Sequence, residues 1–166
     1  MFNFAKQETQ GFVVYRSFQK QGDDYQKKFT EAGTTPQNQA TWNIYVQGSF
    51  QFSCQGFSQT LTAGQTSLDL NILEFPQNGT CTETVTSTIG VRYCVSSAEG
   101  KPWSRRIVEL QADQEFTANG KSLVVVLSGV VSLLGVLAGP GAILQAGQGQ
   151  SFKATGQARV AIATHE

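Results

Sequence analysis

From Ser122 to Gly139 the chain reads SLVVVLSGVVSLLGVLAG, 18 residues without a charge. A run of that length and hydropathy can cross a bilayer as a helix or fill the middle of a β domain, and few other roles suit it. Gly135 and Gly139 even share the spacing of small residues at packed membrane helices. Residue types decide for strands. Val stands at six of the positions, and β-branched side chains favour the pleated backbone. Ser128-Gly129 falls where a turn would divide two strands of about six residues each. No aromatic belt or basic cluster flanks the run, and Lys121 stands alone. The expectation is two strands of a buried sheet and no membrane partner.

Charge elsewhere is sparse as well. Twelve basic and twelve acidic residues cancel, and none occurs from Ala32 through Leu68 or from Ser122 through Phe152. That balance excludes nucleic acid as an electrostatic partner. At 166 residues the chain can bury a core without a structural metal or disulfides. Cys54, Cys81 and Cys94 are odd in number and lack C-x-x-C spacing, so reduced, packed thiols are expected. Cys81 and Cys94 could face each other if a hairpin turned near Ser87 and Thr88. Asn78-Gly79-Thr80 reads as a turn. The opening MFNFAKQETQ lacks the features of a secretory leader, so the expected location is the cytoplasm, or a virion if the chain is viral.

Residues 11–18, GFVVYRSF, read as a strand, and 19–33 as a short helix or loop; 1–40 is then an N-terminal arm. From Trp42 short strands recur with turns every eight to twelve residues. Residues 41–97 form a first β half, 98–104 (AEGKPWS) a connection and 105–166 a second β half, with 41–166 one compact unit. No amphipathic helix of useful length and no phosphate-binding glycine motif is present. YVQGSFQF followed by LTAGQTSLDL resembles VLSGVVSL followed by LAGPGAILQA: strand, Gly turn, strand, small-residue turn, strand. Such punctuation recurs by chance, so it points to shared architecture before it points to duplication. The fold class expected is all-β, an antiparallel jelly roll or β-sandwich with little helix.

The spacing of glycines in the second half resembles the cupin superfamily, whose second motif is G-x5-P-x-G-x2-H-x3-N. Counted from Gly141, Gly147 stands at the Pro, Gly149 at the second Gly, Phe152 at the His and Gly156 at the Asn. The first motif, G-x5-H-x-H-x3 or 4-E-x6-G, ends on a Gly at an inter-strand turn, here Gly129. Ser122 then stands at the Glu, and Phe116 with Ala118, or Glu115 with Thr117, at the two His. The resemblance covers 105–164 and implies a jelly roll. Its metal ligands would be imidazole and carboxylate, for which Phe, Ala and Ser are no substitute. No metal and no cofactor is expected. The single histidine, His165, is expected to be an exposed terminal residue.

Function follows from what is left. Glu115, Phe116, Ser122 and Phe152 are the candidate lining of a jelly-roll cavity. Asp113 with Glu115, or Asp69 with Glu74, are the carboxylate pairs available for acid–base work, and both read more simply as exposed. Trp42, Tyr45, Tyr93 and Trp103 are candidate aromatic surface contacts for carbohydrate, with core or subunit packing as the plainer expectation. A surface rich in Gln, Thr, Ser and Gly with little charge suits contacts between subunits. In that general sense the chain resembles phage and viral particle β proteins. The reading is a non-enzymatic structural or binding protein, a homo-oligomer or a component among other particle subunits. Its alternatives are a carbohydrate or small-molecule binding module and a metal-independent cupin-type isomerase or lyase.

Overall fold

The computed structural model describes residues 3–28, 41–54, 56–70, 80–98 and 101–165. Sixteen strands run through them, with one 3-10 turn, Ser67–Asp69. The first half holds β1 (Asn3–Thr9), β2 (Phe12–Lys20), β3 (Asp24–Lys28), β4 (Trp42–Gln47), β5 (Ser49–Cys54), β6 (Phe57–Thr62), β7 (Thr80–Val85) and β8 (Ile89–Ser97). The second holds β9 (Trp103–Leu110), β10 (Glu115–Thr117), β11 (Ser122–Ser128), β12 (Val131–Leu133), β13 (Val136–Ala138), β14 (Ile143–Ala146), β15 (Ser151–Ala154) and β16 (Ala158–His165). All pairing is antiparallel. The sheets are β1-β2-β8-β4 and β3-β7-β5-β6 in the first half, β14-β11-β16-β9 and β10-β15-β12-β13 in the second.

Three apolar layers separate four stacked sheets. One, with Val124, Val126, Phe152 and Ile162, fills the second half. Another, with Tyr45, Phe50, Phe52, Leu61 and Val85, lies inside the first. The middle layer joins the halves: Phe12, Trp42, Ile44 and Val95 meet Trp103, Leu123, Val125 and Ala163. Strand β11 therefore has core on both faces, with Leu123, Val125 and Leu127 on one and Val124 and Val126 on the other. A strand covered on both faces reads as an unbroken apolar run, which is why SLVVVL imitates a membrane span. None of the helical segments described is long and apolar enough to cross a membrane.

The two halves repeat one another in hydrogen-bond detail. Gly48 ends β4 and Gly129 follows β11, with φ of 86° and 76°. Gly64 donates to the Tyr45 carbonyl as Gly141 does to that of Val126, and Tyr45 and Val126 in turn donate to Gln65 and Ala142. Both strands carry a bulge at the same place, between Tyr45 and Gln47 and between Val126 and Ser128. The turn before β3 bonds Gly22 to the Val85 carbonyl, and the turn before β10 bonds Asp113 to that of Ala154. Even β14 has its counterpart, reduced to one bridge: Ile44 pairs Thr66 where Val125 pairs Ile143.

Close approach explains the two turn glycines. A Cβ on Gly129 would lie 2.3 Å from the Gln157 carbonyl oxygen and 2.8 Å from Ala158 Cα; on Gly48 it would meet the Ile89 carbonyl oxygen at 2.3 Å. Gly135, at φ 79°, has nothing within 4 Å of the same position. Gly129→Ala is expected to cost about 2 to 4 kcal/mol and Gly135→Ala about 1 kcal/mol, so urea midpoints of the two variants separate the clash from the dihedral penalty.

Several expectations change. Residues 24–28 form strand β3 where a short helix or loop was expected, and β2 pairs with β8 along nine residues, so 3–28 belong to the first half. Residues 29–40 lie outside the described residues. The run from Val130 to Val136 is broken: Leu134 and Gly135, at φ 51° and 79°, make a tight hairpin of the kind that needs two left-handed residues, giving three strands from 122–139. Strands β7 and β8 are consecutive yet lie in different sheets, so no hairpin aligns Cys81 with Cys94. Cys94 is half-buried on β8; the side chains of Cys54 and Cys81 lie outside what is described.

Candidate functional site

The four residues expected to line a cavity occupy one end of the second half, and they do not line one together. Phe116 and Phe152 face each other across β10 and β15, with ring centroids 5.3 Å apart. Phe152 is fully buried in the apolar layer that also holds Ala118, Val124 and Ala146. Ser122 is buried, its hydroxyl 2.9 Å from the Gly120 carbonyl and 2.9 Å from the Thr164 hydroxyl. Glu115 is exposed. This interior presents carbon, with one hydroxyl already engaged.

The aromatic residues correct the carbohydrate expectation. Trp42, Tyr45, Tyr93 and Trp103 are 1, 0, 5 and 0 % exposed; none has a face free for stacking. Trp42, Tyr93 and Trp103 form part of the layer between the halves, where the Tyr93 hydroxyl donates to the Gly141 carbonyl at 2.7 Å. His165 is also inside, against expectation. Its ring stacks on Phe12 with centroids 4.0 Å apart, and Nε2 lies 2.9 Å from the Gly11 carbonyl oxygen. Asp113 takes a left-handed turn position at φ 67° and shares no strand face with Glu115. Asp69 caps its own 3-10 turn and pairs with Arg159 at 3.0 Å; Glu74 lies outside the described residues.

The polar site is in the other half, and the repeat makes it visible. Along one rung of the second half, Val108, Val160 and Val126 stand side by side on β9, β16 and β11. The equivalent rung of the first half, on β2, β8 and β4, reads Ser17, Arg92, Tyr45. Opposite them, Glu83 stands across from Phe52 on β7 as Phe152 stands across from Leu133 on β15. Gln19 beside Gly90 takes the place of Leu110 beside Ala158. Thus Ser, Gln, Tyr, Glu and Arg line one interior at positions where the other has Val, Leu, Val, Phe and Val.

Arg92 Nη1 donates to Glu83 Oε2 in a short ion pair, with both side chains nearly inaccessible. Burial, and then the negative charge of Glu83, hold the Tyr45 hydroxyl well above the usual phenol range, so it keeps its proton at any physiological pH. Ser17 Oγ, Gln19 Nε2, Tyr45 Oη and Glu83 Oε1 are buried without a hydrogen-bond partner among the described residues. A buried polar atom left so costs about 1 to 3 kcal/mol, and four in one interior is a marked concentration. No group of three or more His, Cys, Asp or Glu is gathered closely enough to hold a metal ion among the described residues.

A second feature lies on the surface. Leu134, Val136 and Leu137 are 77, 63 and 66 % exposed, all on the β12–β13 hairpin, and β13 is the edge strand of its sheet. No charge lies within this hairpin or near it in sequence.

No family model and no curated protein matches the sequence. Solved structures do match in fold. The chain is similar to a cupin 2 conserved barrel domain protein from Leptotrichia buccalis (TM-score 0.59, 10 % identity, all of this chain and 89 % of that one). It is similar to HutD from Pseudomonas fluorescens SBW25 (TM-score 0.57, 15 % identity, 94 % of this chain and 80 % of that one). It also resembles the bacterial pirin YhhW from Escherichia coli, solved in complex with nickel(II) (TM-score 0.52, 11 % identity, 92 % of this chain and 81 % of that one). Together with the strand order, these place the chain in the all-β, antiparallel jelly-roll class, with a cupin-like fold.

Proposed function

We propose that this protein is a non-enzymatic assembly component, a cupin-like jelly roll that associates with copies of itself along β13. The observation that carries the reading is the exposed apolar hairpin. An edge strand offers unpaired backbone donors and acceptors to another chain, and proteins that stay monomeric blunt such edges with Lys, Pro or a bulge. Here the edge carries Leu134, Val136 and Leu137, with no charge from Ser122 through Phe152. Sparse charge and a surface of uncharged polar residues suit a subunit of a larger particle, phage or viral, which is the setting we propose.

Metal-dependent cupin chemistry does not fit the residues present. Phe116, Ala118 and Phe152 offer no lone pair, and the Ser122 hydroxyl is spent on Thr164 and Gly120. Glu83, the buried carboxylate among the described residues, is held by Arg92.

Light scattering after size exclusion tests the assembly. The unmodified protein should show a mass above the monomer that rises with concentration. Leu134→Lys with Leu137→Lys should shift it to monomer with unchanged circular dichroism, because both side chains are already exposed. A protein that is monomeric at every concentration would overturn the reading.

A further inference from the structure

We propose that the β12–β13 hairpin of one copy docks Leu134, Val136 and Leu137 on an apolar floor of the next copy, formed by Phe18 on β2 and Ile89 on β8. The inference rests on the assembly reading and names the surface that receives the hairpin. Outside the hairpin, the exposed large apolar side chains among the described residues are Tyr15, Phe18, Leu68 and Ile89. Leu68 belongs to the 3-10 turn, and Tyr15 is on the opposite face of β2 from Phe18. Phe18 and Ile89 share a face. Phe18 pairs with Val91 and Lys20 with Ile89, which sets both side chains on the face that carries Val14 and Tyr93 against the second half. They lie beyond the part of that face which the second half covers, 39 and 47 % exposed.

The internal repeat explains why this floor is bare. Glu109 beside Arg159 takes the place of Phe18 beside Val91, and Gln157, two residues before Arg159, takes that of Ile89. The turns that cross between the halves also correspond: Gly64 lies against Leu127 of the second half, and Gly141 against Val46 of the first. Beyond those glycines the correspondence stops. After Gly64 the chain makes the 3-10 turn Ser67–Asp69, and Arg159 donates both to the Gly64 carbonyl and, at 3.0 Å, to Asp69 Oδ1. After Gly141 the chain enters β14 directly and supplies no counterpart of Asp69. The second half thus has a polar floor under a turn of the first half, while the first half has an apolar floor with no such cover. A cover of matching chemistry is a narrow, uncharged turn with apolar side chains, and the Leu134-Gly135 hairpin has that form. Arg16, 4.6 Å from the Phe18 ring, and Lys20 border the floor, so a basic segment would be repelled where an uncharged hairpin is not. A copy cannot cover its own floor. Its hairpin belongs to the outer sheet of the second half, with β14-β11-β16-β9 in between. The contact is therefore heterologous and repeats from copy to copy as an open chain or a closed ring.

The test is complementation in solution. Phe18→Lys with Ile89→Lys removes the floor, and Leu134→Lys with Leu137→Lys removes the hairpin; all four positions are exposed, and circular dichroism checks that each protein is folded. Each variant alone should be monomeric by light scattering at concentrations where the unmodified protein associates. Their equimolar mixture should form a 1:1 heterodimer and nothing larger, because one intact hairpin meets one intact floor. Ile89→Lys by itself should weaken association about tenfold. A photo-crosslinking p-benzoylphenylalanine placed at Leu134 should capture the strands of Phe18 and Ile89 in another copy. That crosslink leaves the floor unchanged, so it decides the question even where a floor variant does not fold. The proposal is overturned if the floor variant associates like the unmodified protein, if the mixture stays monomeric, or if the crosslink joins position 134 to the β12–β13 hairpin of another copy. In those three outcomes the assembly reading stands, provided that the unmodified protein associates and the hairpin variant does not. A protein that is monomeric throughout overturns both.

Discussion

Glu83→Phe alone should lower the unfolding free energy by about 3 to 5 kcal/mol, while Glu83→Phe combined with Arg92→Val should recover most of that loss. The single change leaves the Arg92 guanidinium, 5 % exposed, without its carboxylate in an interior of Phe50, Phe52 and Val85. A buried charge stripped of its partner is among the most damaging changes a core can receive. Arg92→Val alone strands the Glu83 carboxylate in the same way, though a carboxylate can take up a proton and so limit its own cost. In the double variant neither charge of this pair is left to desolvate. Phe and Val are also the residues that the second half places at these two positions, Phe152 and Val160, both fully buried. The larger ring offsets the shorter side chain, so the total volume changes little. Urea unfolding of the four proteins gives the coupling energy from a double-mutant cycle. Additive single effects would mean that the pair does not act as a unit in the folded protein.

The strands were legible in the sequence because their signal is local. Turn glycines, Val-rich runs and the cupin-like spacing around Gly129, Gly141 and Gly149 place β11 to β16 where they stand, apart from the Leu134-Gly135 turn. Leu at φ 51° carries no turn signal of its own, so VVSLLGV reads as one strand. The N-terminal strands were harder, because β3 (DYQKK) is as polar as a loop and takes its conformation from pairing with β7.

The polar interior escaped for a related reason. In TCTETV, Glu83 sits among threonines and reads as one more exposed position; only its alternation with Cys81 and Val85 places it on the inward face. Arg92 in GVRYCV carries a stronger hint, a charge inside a strand whose neighbours Val91 and Tyr93 are apolar. The repeat would have exposed both. Superposing the halves on Gly48 and Gly129 sets Tyr45 against Val126, and the strand register then sets Arg92 against Val160. Punctuation by glycine alone does not establish such a repeat; matched hydrogen bonds do. Core packing, the plainer expectation for Trp42 and Trp103, is what the structure shows; His165 was misplaced because chain ends usually face solvent, whereas here the end of β16 is covered by Phe12 of the opposite half.

Val126→Asp should unfold the protein at neutral pH, the largest effect expected of any single substitution considered. Val126 is 1 % exposed, and its rung neighbours are Val160 and Val108 in a layer built of Val, Leu, Ala, Ile and Phe. Arg92, the buried guanidinium among the described residues, lies in the other half, so an aspartate there would be an unpaired buried charge, at a cost of more than about 4 kcal/mol. That is a large part of the roughly 5 to 15 kcal/mol available to a domain. The carboxyl would escape part of the cost by staying protonated, which raises its folded-state pKa above the unfolded value of about 3.9. Between those two values the folded state binds more protons, so the variant's stability must fall as the pH rises. A melting transition of the variant should therefore be clearest near pH 4 and lost near pH 7, where the unmodified protein keeps its own. Val125→Asp, on the opposite face of β11 against the other half, should behave alike. The pair of variants thus tests whether β11 is buried on both sides, which a helix spanning a membrane with this sequence would not require.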